Sequence, residues 1–217
     1  MKIALPSLPL LLGAAAILTL TFAHSYEPPQ NSELIIDDAF DRETTGKGWA
    51  IQTGSWTIKD GVLHGAEIAA DKHSAAARRV IVTGDAVYEM KFRFTGEGKA
   101  FHFGFDPLRG SLDKRGHLFS VIVSPKDWKI IKHVDKNKPK EDPNEVLASA
   151  KSAFEIDTWY HLRVTTSETS VNAKIKGVEP LEATHPTFSV KKPTLVFRAI
   201  GDGIEIDDLR VWQAKAE

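Results

Sequence analysis

There is no cysteine among the 217 residues. That excludes disulfides, thiolate nucleophiles and cysteine-held metals, so the core must hold by packing alone. An excess of charge of either sign is lacking too, since 28 Lys and Arg stand against 29 Asp and Glu. So balanced a chain has no general attraction to nucleic acid or to an anionic membrane surface. Several enzyme signatures are also missing: there is no Gly-x-Ser-x-Gly elbow, no His-Glu-x-x-His helix and no phosphate-binding glycine loop. Helical periodicity is scarce after the N-terminal segment. Only residues 143–154 read as a helix, with Asn144 placed to cap Glu145-Val146-Leu147-Ala148.

The N-terminus has the composition of an export signal helix. Lys2 supplies a positive start, residues 8–22 are apolar and uncharged, and Thr21-Phe22-Ala23 offers small residues where a signal peptidase cuts. The apolar run falls short of the ~20 residues of a spanning helix. The expected division is a signal peptide over 1–23, a linker over 24–33 around Pro28-Pro29-Gln30-Asn31-Ser32, and one domain over 34–214. Cleavage leaves a secreted or periplasmic protein with no stable membrane insertion; the alternative is an uncleaved anchor.

From Leu34 onward short strand patterns follow one another. Tyr88-Glu89-Met90-Lys91-Phe92-Arg93-Phe94 alternates most cleanly, and Lys59-Asp60-Gly61 is an Asp-Gly hairpin signal. About a dozen such strands with almost no helix predict a two-sheet sandwich or a barrel.

The chemistry concentrates between Ala100 and His133. In Phe101-His102-Phe103-Gly104-Phe105-Asp106 the three phenylalanines point one way, and His102, Gly104 and Asp106 the other. His117 opens the next apolar run and His133 closes the one after it. If these are neighbouring strands, His102, His117 and His133 share a surface with Asp106, as bases near neutral pH or as metal ligands. Arg198 interrupts the apolar Val196-Phe197-Arg198-Ala199-Ile200, so it is expected to be paired or ligand-facing. Trp128 is the tryptophan expected to face a ligand, beside Lys132, while His64 and Glu67 are further candidate contacts. Trp49, Trp56, Trp159 and Trp212 are expected in the core. The charged stretch from Lys132 to Glu145 reads as a surface loop that could close over one end of the site.

Several motifs carry a resemblance. Asp38-Ala39-Phe40-Asp41-Arg42, Gly48-Trp49, Gly54-Ser55-Trp56-Thr57-Ile58-Lys59-Asp60-Gly61, Asp157-Thr158-Trp159-Tyr160-His161-Leu162-Arg163 and Ile204-Glu205-Ile206-Asp207-Asp208-Leu209 occur in that order. The order resembles concanavalin A-like jelly rolls, and more narrowly exported bacterial domains of the 3-keto-disaccharide hydrolase-like or family 16 glycoside hydrolase-like kind. The resemblance implies an all-β, two-sheet antiparallel jelly-roll sandwich with a carbohydrate held on the concave sheet.

Jelly rolls commonly pair their first and last strands, which would bring Asp38 towards Asp207 and Asp208. Structural Ca²⁺ at those three is one reading, and pairing with Arg42 and Arg210 the other; no organic cofactor is expected. The two-glutamate strand of family 16 enzymes is absent, because neither Glu155-Ile156-Asp157 nor Glu205-Ile206-Asp207-Asp208 ends in a second glutamate. A pair drawn from different strands, such as Glu67 with Asp106, stays open. Three functions follow as expectations: a saccharide-binding protein, a glycoside-cleaving enzyme using His102, Asp106, His117 and His133, or a structural or adhesion protein of the cell envelope.

Overall fold

Alternation gives almost every segment one face to hide, and the chain hides those faces by stacking two antiparallel sheets. A computed structural model describes residues 27–215, so the expected signal segment lies outside the described residues. The first sheet has seven strands. Its order runs β10 (Glu145–Lys151), β9 (Asp127–Lys132), β8 (Phe119–Val123), β7 (Ala100–Asp106), β14 (Lys192–Ile200), β5 (Ala75–Thr83) and β2 (Trp49–Thr53).

The second has eight. These are β13 (Leu181–Thr184), β12 (Ser170–Ile175), β11 (Tyr160–Ser167), β6 (Ala86–Phe94), β15 (Ile204–Ala214), β4 (Val62–Ala66) and β3 (Ser55–Lys59), with β1 (Ser32–Asp38) also on β15. The expected pairing of first and last strands is present, with Asp38 opposite Leu209.

Between the sheets lies a core rich in aromatic rings. Phe101, Phe103 and Phe105 are fully buried, and Tyr88 from the other sheet meets Phe105 at 4.9 Å between ring centroids. Each such ring contributes about 1.5–3 kcal/mol of burial, the main stabilising term in a chain with no cross-links. The β3–β4 hairpin turns on Asp60 and Gly61, at φ of 52° and 74°. Both central residues are left-handed, as a type I′ turn requires. In β15 the pair Asp207-Asp208 forms the expected bulge: register slips between Asp207 and Arg210, and Asp208 has φ 50°.

Two elements differ from expectation. Residues 145–151 form β10, not a helix, because β9 offers them a partner edge and Asn144 Oδ1 accepts from Val134 N instead of capping a helix. Sheet pairing outweighs so short a helical pattern. The strand β13 has a clean in-out alternation, but it is only four residues long and includes a poor strand former, Ala183.

Trp128 and Trp159 both lie elsewhere than expected. Trp128 is fully buried, because its place opposite Val123 puts it on the core face of β9, whereas Trp159 is 36% exposed with Arg93 stacked on its ring. Trp128→Ala is therefore expected to cost about 3–5 kcal/mol in a urea melt. A ligand-facing tryptophan would cost almost nothing without ligand.

Candidate functional site

The first sheet turns its other face outward, and pairing across it assembles the site. Arg198 on β14 lies opposite His102 on β7, and Thr194 opposite Asp106. Ser120 on β8 pairs with Gly104. A side chain at Gly104 would meet Ser120 Oγ at 2.4 Å, so glycine here makes room for the hydroxyl. His117 sits just before β8 and His133 just after β9, and their rings are 5.3 Å apart. The three histidines expected to converge do so, on one surface.

Asp106 is the hub. His117 Nδ1 donates to its Oδ1 (2.5 Å), while Thr194 Oγ1 (2.8 Å) and Arg78 Nε (3.0 Å) donate to its Oδ2. Burial alone would push this carboxyl up, but the His117 hydrogen bond, with Thr194 and Arg78, outweighs it and holds the group at about 2. It is therefore a permanent carboxylate, with no proton to give. Arg198 Nη2 lies 2.9 Å from His117 Nε2. A guanidinium can only donate, so Nε2 accepts from Arg198 and Nδ1 carries the proton given to Asp106. Arg198, His117 and Asp106 form one chain of two hydrogen bonds, each donated in the same direction towards the carboxylate.

The other two imidazoles are held neutral at pH 7. Burial first, then the positive charges of Arg198 and Lys129, bring His102 down to about 4. Burial, the neighbouring imidazoles and Arg198 bring His133 to about 3. Ser120 Oγ and His133 Nε2 share a 2.7 Å hydrogen bond. Such a weak base does not activate a serine hydroxyl at neutral pH.

Over Asp106, His117 and Arg198 opens a cleft of about 600 Å³, walled by the loop after β7 and by Arg78, His73 and Gln52. Lys136, from the charged loop after β9, joins the wall. His102 and His133 lie beside this cleft, not in its lining.

Four predicted site residues lie elsewhere. His64 is on β4 in the other sheet, facing Glu205 at 3.7 Å. Glu67 Oε2 accepts from Gly201 N at 3.0 Å, past the far end of β14. Six residue steps along the strand separate that end from Thr194, or about 20 Å, so Glu67 and Asp106 are not a pair. Lys132 lies opposite Phe119 on the core face and turns to Asp142 and the Pro143 carbonyl. Trp128 is in the core. Strand alternation alone could have placed Lys132 and Trp128, since both share parity with Ile130 and oppose His133. Arg78, Ser120 and Thr194 went unanticipated: their outward parity was visible, but not that β5 lies beside β14.

The proposed calcium ligands already have other partners. Asp38 receives both Arg42 Nη atoms at 2.5 and 2.9 Å, the Phe40 amide and the Trp49 indole. Burial pushes this carboxyl up, but Arg42, Phe40 and Trp49 together leave it below the usual range. Asp208 meets Lys91 at 2.5 Å and Arg210 at 3.8 Å, while Asp207 Oδ1 accepts from Asp208 N. This donor set does not fit a calcium ion, and among the described residues no group of three His, Asp or Glu side chains is placed to hold one. Adding a chelator is expected to leave the melting midpoint unchanged.

Solved structures share this architecture. The chain is similar to carbohydrate-binding module CBM66 from Bacillus subtilis, at 15% identity over 79% of this chain and 93% of that one, with a TM-score of 0.53. It is similar to the laminarinase from Rhodothermus marinus, at 11% identity over 85% and 98%, TM-score 0.63. A Bacillus subtilis protein of galectin-like fold matches at 15% identity over 85% and 97%, TM-score 0.61. The fold is a concanavalin A-like jelly-roll sandwich. No family model matches the sequence, and no curated protein is similar to it. In this jelly roll, no helix among the described residues is long and apolar enough to cross a membrane.

Proposed function

We propose that the protein is an exported saccharide-binding protein that holds its ligand in the cleft over Asp106, His117 and Arg198. One observation carries this reading. On a fold whose neighbours include a carbohydrate-binding module and a laminarinase, the outward sheet face gathers fixed donors and acceptors beneath an open cleft. Export rests on the Lys2 and 8–22 signal pattern.

A glycoside-cleaving reading of the 3-keto-disaccharide hydrolase-like type has the Asp106–His117 hydrogen bond in its favour, since a carboxylate commonly orients a histidine base. Two features weigh against it. The Nε2 lone pair is taken by Arg198, and Asp106 is the one carboxylate among the described lining residues, so no second carboxyl stands ready to protonate a leaving oxygen.

The test is calorimetric titration with a panel of neutral and acidic oligosaccharides, together with a turnover assay on the same panel and a 3-keto disaccharide. Binding without turnover, weakened about tenfold or more by Arg198→Ala, is expected. Turnover would move the protein to the enzyme reading. Absence of both would leave a structural or adhesion role in the envelope.

A further inference from the structure

The cleft gathers charge of one sign in a chain that has none to spare. Arg78, Arg109, Lys114, Arg115, Lys136 and Arg198 line it, against one carboxylate, Asp106. On the outer face of the other sheet cations are matched locally: Lys91 with Asp208, Arg93 with Glu205, Arg210 with Asp37. In the cleft matching is incomplete. Asp106 is already taken by Arg78, His117 and Thr194. Lys114 Nζ donates to the His133 carbonyl and is paired with Asp142 Oδ2 at 3.5 Å, so it too is taken. Arg109, Arg115 and Lys136 make no ion pair among the described residues.

These free cations stand on backbone that is tied down. Asp135 Oδ1 accepts from Arg115 N at 3.0 Å and from Asn137 N at 2.9 Å, and Lys136 N donates to the Arg115 carbonyl at 2.8 Å. The loop after β7 and the loop after β9 are thus fastened to each other, with their cationic residues on one wall. Like charges so placed repel each other, and a bound anion relieves that repulsion. The lining also lacks something: no tryptophan, tyrosine or phenylalanine is among the described residues that form it. A neutral sugar ring would find no aromatic face to stack on.

We infer that the ligand of this cleft is an anionic saccharide, an oligosaccharide bearing carboxylate or sulfate groups. This rests on the saccharide-binding reading above. Arginine forks suit either group, because a planar guanidinium meets two oxygens of a carboxylate or sulfate at once.

The experiment is calorimetric titration of the whole protein with four probes. They are an oligogalacturonate, the same oligomer methyl-esterified, a sulfated heparin-type oligosaccharide and polyglutamate. The expected result is that at least one acidic oligosaccharide binds, with whichever of the two binds tighter naming the group. Binding should weaken about tenfold when salt rises from about 0.05 to about 0.5 M, and esterification should weaken the galacturonate by a similar factor. A double change, Arg109→Ala with Arg115→Ala, should lower affinity about tenfold without moving the melting midpoint, since both side chains are exposed. Equal, salt-insensitive binding of the esterified oligomer would overturn the anionic assignment and leave saccharide binding intact. Polyglutamate binding as tightly as the sugars would overturn both, whereas no probe binding at all would overturn the anionic assignment, with the neutral oligosaccharide panel above deciding saccharide binding itself.

Discussion

Lowering the pH from 7 to about 4 is expected to cost the protein on the order of several kcal/mol of stability, with much of the loss in the window where histidine titrates. His102 and His133 are held at about 4 and about 3 in the fold, against an ordinary value of 6.5. In the unfolded chain both take up protons as the pH falls through 6.5; in the fold they do so only near 4 and 3. The unfolded state therefore binds more protons throughout that interval, and stability falls as the pH falls. Asp106 acts in the same direction but lower. Its carboxyl, at about 2 instead of 3.8, lends stability above 3.8 that is lost as the pH drops towards 2. Urea midpoints measured every half unit between pH 7 and pH 4.5 separate the histidine contribution from that of the carboxylates. A His102→Gln, His133→Gln double variant should show a flatter profile in that window. A wild-type midpoint that stays level down to pH 5 would mean that the two rings are not held neutral by burial.

The second large effect is expected at Asp106. Its replacement by alanine removes the one anion among Arg78, Arg198 and His117, and takes the acceptor from three donors at once. A partly buried network broken on one side costs about 2–3 kcal/mol, below the range for a fully buried ion pair because Asp106 keeps some solvent contact. Asp106→Asn keeps the shape but has one acceptor oxygen for three donors, and is expected to cost about half as much. Arg78→Ala, at a quarter-exposed position, should cost less than about 1 kcal/mol. Combining Arg78→Ala with Asp106→Ala should give less than the sum, because the first change removes a charge that the second leaves unpaired. Additive costs would mean that the two side chains do not interact.

Much of this site follows from the alternation of Phe101, Phe103 and Phe105 with His102, Gly104 and Asp106. Where a side chain's face is set by parity, sequence alone decides it, and the convergence of His102, His117 and His133 needed only that β7, β8 and β9 be consecutive neighbours. Arg198 also declared itself, as a lone charge on an apolar strand. Arg78 and Thr194 did not, since their meeting with Asp106 depends on β14 lying between β7 and β5, pairings between segments far apart in the chain, such as Thr194 with Asp106 and with Val80. Lys132 and Trp128 follow strand parity into the core despite the charged and polar composition of their neighbourhood. Clustered charge is visible in the sequence at Asp38, Asp207 and Asp208, but not that Arg42 meets Asp38 and that Lys91 and Arg210 meet Asp208.

Alternation and turn residues, both short-range properties, determine in the sequence itself that the chain is a strand-built sandwich, with the Asp60-Gly61 hairpin and the Asp207-Asp208 bulge at their observed places. Which outward residues meet belongs to the tertiary structure. The order of strands across a sheet is set by how all the buried faces pack together, and no local pattern encodes it. That order placed Arg78, Thr194 and Arg198 around Asp106, and brought the cations of two distant loops to one wall of the cleft.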